Sequence, residues 1–185
     1  MKRLAGGLAA IGTIAALAMA GPAGADPVTG GESLFRPDVD TFEGFADMSI
    51  SVGATGAAED TPRGVTFPVS GGDFDAGPEG TIEHKGGLVF SRNTADGGVV
   101  KFTQFIVKVG KRKAKVFAKS DHAAVRFMDV DFNAFITSAD GDTTTIQHAK
   151  VALAKEGAEV LSAAFDFPFH KGIRMGYMTV RIEQG

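Results

Sequence analysis

From residue 48 onward, apolar and polar positions alternate with a period of two, and clusters of Gly, Asp and Pro interrupt the pattern. Met48, Ile50 and Val52 alternate with Ser49 and Ser51, and Val65, Phe67 and Val69 alternate with Thr66 and Pro68. Such alternation puts one face of an extended strand on a core. Pro68 has no N–H, which predicts an edge strand or a strand end at that point. The stretch SGGDFDAGPEG (70–80) carries turn residues almost throughout and reads as a loop. Ile82, His84, Gly86, Leu88 and Phe90 then share one strand face. After a turn at 93–98, a long β-rich run covers 99–109. Lys111, Arg112 and Lys113 sit at a hairpin tip, and the chain returns through 116–118. Further β-like runs cover 122–135 and 143–153, with a turn at 139–142 between them. A closing strand turns Met178, Val180 and Ile182 inward.

One segment has a different period. Leu153, Val160, Leu161, Ala164 and Phe165 fall on a helical stripe, and the residues between them include Ala, Glu and Lys, which favour helix. The spacing predicts one late amphipathic helix, about 154–165, which Pro168 keeps from continuing. Many short strands with a single late helix predict a mainly β fold, an antiparallel β-sandwich or open barrel.

The first 25 residues read as a separate object. Lys2 and Arg3 precede an uncharged Ala/Leu/Gly/Ile run over 4–20, and Ala23-Gly24-Ala25 supplies a small-x-small cleavage site. This predicts a cleaved signal peptide over 1–25 and a secreted, extracytoplasmic protein. A flexible leader follows over 26–32, and then a single domain over 33–185. No later stretch is long and apolar enough to span a bilayer. The chain contains no Cys, so stability must come from burial and hydrogen bonding. Fifteen Phe make that feasible.

Charge is distributed unevenly. Residues 26–79 hold 11 acidic side chains against only Arg36 and Arg63, whereas 80–185 hold 11 acidic against 15 basic ones. A formal net charge of −3 argues against nucleic acid as a partner. The basic residues concentrate in KVGKRKAKVFAK (108–119), which contains no acid. Lys111, Arg112, Lys113 and Lys115 therefore form either a patch for an anionic envelope polymer or a solvated hairpin whose charges protect a sheet edge.

Sequence motifs for catalysis are lacking. There is no Cys nucleophile, no G-x-S-x-G elbow, no H-E-x-x-H helix and no phosphate loop. The four His lie 38, 26 and 22 positions apart, out of register with one another. DVDFN (129–133) resembles the start of a calcium loop, but Ala134 stands where such a loop needs Gly, so no metal site is expected. The chain reads as a non-enzyme. His84 is the best site residue. It shares a face with Ile82, Leu88 and Phe90, where it is either a hydrogen-bonded core histidine or a contact for a planar, apolar ligand admitted by Gly86 and Gly87.

FPVSGGDFD (67–75) followed by GTIEHKGGLVF (80–90) resembles the HtaA family of actinobacterial cell-surface domains. KFTQFIV (101–107), VALAKEGAEVLSAAF (151–165) and GIRMGYMTV (172–180) fit the family's later strands and closing helix. The resemblance implies a β-rich, non-enzymatic domain outside the cell membrane, with haem as the cofactor. It also implies that a Tyr in the N-terminal part holds the iron, supported by the His of the G-x-x-x-H motif. That His is His84. The Tyr has no counterpart in SLFRPDVDTFEGF (33–45), where the aromatic residues are Phe35, Phe42 and Phe45.

Overall fold

The computed structural model describes residues 25–75, 79–95, 97–121, 123–131 and 136–185. The predicted signal peptide thus falls almost wholly outside the described residues. The elements run β1 (Asp26–Pro37), α1 (Val39–Asp47), β2 (Ile50–Thr55), β3 (Glu59–Thr61), β4 (Gly64–Phe74), β5 (Gly80–His84) and β6 (Gly87–Arg92). They continue with β7 (Val99–Val109), β8 (Lys113–Ser120), β9 (Ala123–Asp131), β10 (Ile136–Asp140), β11 (Thr143–Leu153), α2 (Lys155–Phe165) and β12 (Arg174–Gln184).

Eight strands close into a ring in the order β1, β4, β5, β7, β8, β9, β11, β12, with β12 pairing back onto β1. The pairing of β7 with β8 completes the closure, and every pair is antiparallel. Closure leaves the ring without free edges, which an open sheet would have to protect. β6 continues the line of β5 along β7, and β2 pairs outside β6. β3 and β10 add short pairings to β4 and β11.

Alternation sets what the ring encloses. Val65, Phe67 and Val69 of β4, Phe102, Phe105 and Val107 of β7, and Met178, Val180 and Ile182 of β12 are all buried. Phe102 and Phe127 stack with centroids 3.9 Å apart, and Phe127 also meets Phe90 and Phe105. Each fully buried Phe contributes about 1.5–3 kcal/mol. The late helix forms as the spacing predicts and packs on β9 through Ala158, Leu161 and Phe165. Its approach is very close, since a Cβ on Gly157 would stand 2.5 Å from the Phe127 carbonyl oxygen.

Several expectations need correction. Residues 26–32 are no free leader: they form the first half of β1, where Val28 pairs with Gln184 and Glu32 pairs with both Arg181 and Pro68. Pro68 lies within the ring rather than on an edge. Its carbonyl accepts from the Lys85 N–H, and its missing donor falls in the gap between the β3 pairing, which ends at Thr66, and the β5 pairing, which begins at Val69. The loop read at 70–80 is strand as far as Phe74. Gly72, at φ +121, lies so close to the Thr81 carbonyl that a Cβ there would be 2.0 Å from it.

A second helix, α1, has no counterpart in the periodicity. Asp38 caps it by accepting from the Thr41 N–H at 3.3 Å. Phe45 is buried beneath it against Phe90 and Phe169. Two core-facing Phe around an internal Gly44 make too short a stripe to stand out from the sequence.

Candidate functional site

His84 is the last residue of β5, and its ring faces inward as predicted, 5% exposed. Ile82, Leu88 and Phe90 are buried on the same side. The ring gains one partner that the sequence reading missed. Ser33 of β1, fully buried, places its Oγ 2.7 Å from His84 Nε2. The only sequence signal for Ser33 is its position two residues before the buried Phe35. The other ring nitrogen, Nδ1, is buried and makes no hydrogen bond of ordinary geometry. Burial pushes the imidazole pKa down from 6.5 to about 4, an effect the nearby Phe105 backbone offsets in part. The ring is therefore neutral at neutral pH and chemically able to donate a lone pair.

The space around the ring has two parts. Inside the barrel, a void of only about 10 Å³ is bounded by Ser33, Phe67, His84, Phe105, Val107 and Met178, among others. Outside, an open depression of about 400 Å³ is lined by Ser70, Glu83, His84, Gly86, Gln104 and Phe105, among others. Two backbone irregularities shape it. The β5–β6 line breaks at Lys85 and Gly86. Opposite, β7 bulges between Thr103 and Ile106, with Gln104 at φ +54 and its N–H bonded to the Gly86 carbonyl. Bulges of this kind re-aim side chains next to binding sites, and here Phe105 is turned into the core.

Gly86 and Gly87 do not hold open a slot for a planar guest. A Cβ on Gly86 would stand 2.2 Å from the Ala58 nitrogen, and one on Gly87 would stand 2.0 Å from the Phe102 carbonyl oxygen. Both glycines are needed because neighbouring backbone already occupies that space.

A scan of protein-family models finds no match, and no curated protein matches the chain. Solved structures do. The C-terminal domain of HtaA from Corynebacterium glutamicum superposes with a TM-score of 0.66, covering 86% of this chain and 99% of that domain at 15% identity. The fold is that of an HtaA domain. The N-terminal domain of the same protein gives a TM-score of 0.64 over 85% of this chain and 98% of that one, at 14% identity. A domain-swapped dimer of a histidine-to-alanine variant of the C-terminal domain gives 0.55 over 80% and 92%, at 15% identity.

Within this HtaA fold, the remaining predicted residues lie far from the barrel interior. Lys111 and Arg112 are exposed at the β7–β8 turn, and Lys113 and Lys115 point outward from β8. Tyr177 lies on the outer face of β12, half-buried, with the Arg174 guanidinium 5.2 Å from its ring. It shares no face with His84. Among the described residues no group of three or more His, Asp or Glu could hold a metal ion, and no helix is long and apolar enough to cross a membrane. Asn133 and Ala134 of the calcium-like stretch lie outside the described residues. Asp129, within it, pairs with Arg126.

Proposed function

We propose that this chain is an exported, non-enzymatic binding domain of the HtaA kind, and that it takes a planar, largely apolar ligand of the haem class from outside the barrel. The observation that carries this reading is the 400 Å³ depression over the β5–β6 break, which His84, a neutral buried imidazole held by Ser33, helps to line. That volume is within the range of small-molecule sites.

Haem, the group the resemblance implies, fits in one respect and not in another. A neutral imidazole is by its chemistry a competent donor for a metal, although this ring lies inward with its Nδ1 buried beside the Phe105 backbone. The interior is not a competent pocket, because a void of about 10 Å³ holds at most one water. The sole tyrosine is on the opposite face of the sheet and offers no oxygen beside His84. A macrocycle therefore belongs in the outer depression, over the β5–β6 break. There Gln104 and Ser70 would meet its edge and Ile106 its apolar surface.

Titration of the purified protein with haemin, followed by visible spectroscopy, tests this. We expect a saturable Soret shift, lost in Ser70→Trp, which fills the depression from an exposed position, and altered in His84→Gln. An unchanged Soret band with the wild-type protein, or equal binding in Ser70→Trp, overturns it.

A second reading, an interaction module of the cell envelope contacting anionic polymer through the 108–119 hairpin, is favoured by the exposure of Lys111, Arg112, Lys113 and Lys115. On this reading the Ser33–His84 pair is a structural feature of the core. Salt-dependent retention on a polyanion column, lost when Lys111, Arg112 and Lys113 are neutralised, supports it. Retention that is indifferent to those charges refutes it.

A further inference from the structure

The outer faces of β8, β9 and β11, walled by the segment that leads into β12, form a cleft of about 490 Å³. Lys113, Lys115, Arg126, Lys150, Lys171 and Arg174 line it, against two acids, Asp129 and Asp131. Strand register explains the grouping. Lys113 stands opposite Asp131, which stands opposite Lys150 on the other side, while Lys115 stands opposite Asp129. Strands β8, β9 and β11 with the start of β12 thus bring together basic residues that are up to 61 positions apart in the chain, from Lys113 to Arg174.

The two arginines are already engaged. Arg126 pairs with Asp129, and Arg174 Nε lies 2.7 Å from Asp38. No ion pair among the described residues holds Lys113, Lys115, Lys150 or Lys171. The cleft's excess of positive charge stands against a chain whose net charge is −3. A concave patch of one sign concentrates counter-ions, and the lysine stems give it apolar sides.

We infer that this cleft is a binding site for a multivalent anion carrying two or more phosphate or carboxylate groups. Spacing sets the valence. Positions two strands apart are separated by about 10 Å, as for Lys113 and Lys150, and positions two residues apart along a strand by about 7 Å, as for Lys113 and Lys115. A monovalent anion reaches one or two of these lysines, and a single exposed ion pair contributes little. An anion with charges spaced to match engages several lysines without separate ordering costs for each. The inference does not depend on haem binding. It shares Lys113 and Lys115 with the envelope-module reading but moves the contact from the hairpin tip into the cleft.

The protein supplies its own reporter. Tyr177 is the only Tyr, and there is no Trp. It stands opposite Lys150 across the β11–β12 pairing and against Arg174, at the rim of the cleft. Its fluorescence is followed while inorganic tripolyphosphate or citrate is added at fixed ionic strength, with calorimetry in parallel. We expect saturable, one-to-one binding of at least one of them, under conditions where phosphate and acetate show none; which one binds distinguishes phosphate from carboxylate ligands. Lys150→Ala combined with Lys171→Ala should weaken binding about tenfold or more. Lys111→Ala combined with Arg112→Ala, at the tip, should leave it within about twofold. The proposal is overturned by absence of saturable binding by both methods, by unchanged affinity in the Lys150/Lys171 variant, or by an equal loss in the tip variant.

Discussion

The buried imidazole makes stability depend on pH in a way that can be isolated. His84 has its pKa lowered from 6.5 to about 4 by burial. Between those values the unfolded chain binds a proton that the folded chain excludes, so stability falls as the pH falls. The stabilising contribution is fully present above pH 6.5 and is lost progressively as the pH drops toward 4. A fall from 6.5 to about 4, at about 1.36 kcal/mol per pH unit, corresponds to about 3 kcal/mol. That is a large share of the roughly 5–15 kcal/mol typical of a domain. Carboxylates titrate in the same window, so the wild type must be compared with a variant that shares them. His84→Gln serves, because its amide can still reach Ser33 Oγ, 2.7 Å from Nε2 in the wild type, yet does not titrate. Urea unfolding of both proteins is measured at intervals from pH 7.5 to pH 4. The unfolding free energy of the wild type minus that of the variant should decline by up to about 3 kcal/mol across that range. A difference that stays constant within about 0.5 kcal/mol refutes the buried, neutral imidazole.

Three further outcomes follow from the packing. Phe127→Ala removes the ring stacked 3.9 Å from Phe102 and should lower stability by about 3–5 kcal/mol, read from the urea midpoint. Gly157→Ala gains up to about 1 kcal/mol of helix propensity but forces a Cβ to within 2.5 Å of the Phe127 carbonyl, so it should lower Tm; a rise in Tm would mean that α2 does not lie that close to β9. Asp38→Ala removes the α1 cap and the partner of Arg174 and should cost about 0.5–2 kcal/mol, with hydrogen exchange quickening in α1 before the barrel strands.

The site was partly legible before the fold was known. Period-two alternation alone placed His84 beside Ile82, Leu88 and Phe90 on an inward face, because the parity of a strand is a local property. Nothing local could show that Ser33, 51 positions earlier, would supply its hydrogen bond, since that depends on how β1 meets β4 and how β4 in turn meets β5. The glycines after His84 were misread for the same reason. Their freedom of space was real in the sequence, but the Ala58 and Phe102 backbones fill it.

By itself, then, the sequence determined what neighbouring residues decide among themselves: strands from alternation, α2 from its stripe, the inward histidine and the HtaA-like pattern around it. Tertiary structure decided the closure of the ring through β7 and β8, the recruitment of residues 26–32 into β1, the place of Pro68 within the barrel and the formation of α1. It also decided that Lys150 and Lys171 stand with Lys113 and Lys115 around one cleft. These outcomes depend on register between distant strands, and register is fixed only when the whole ring buries its phenylalanines together.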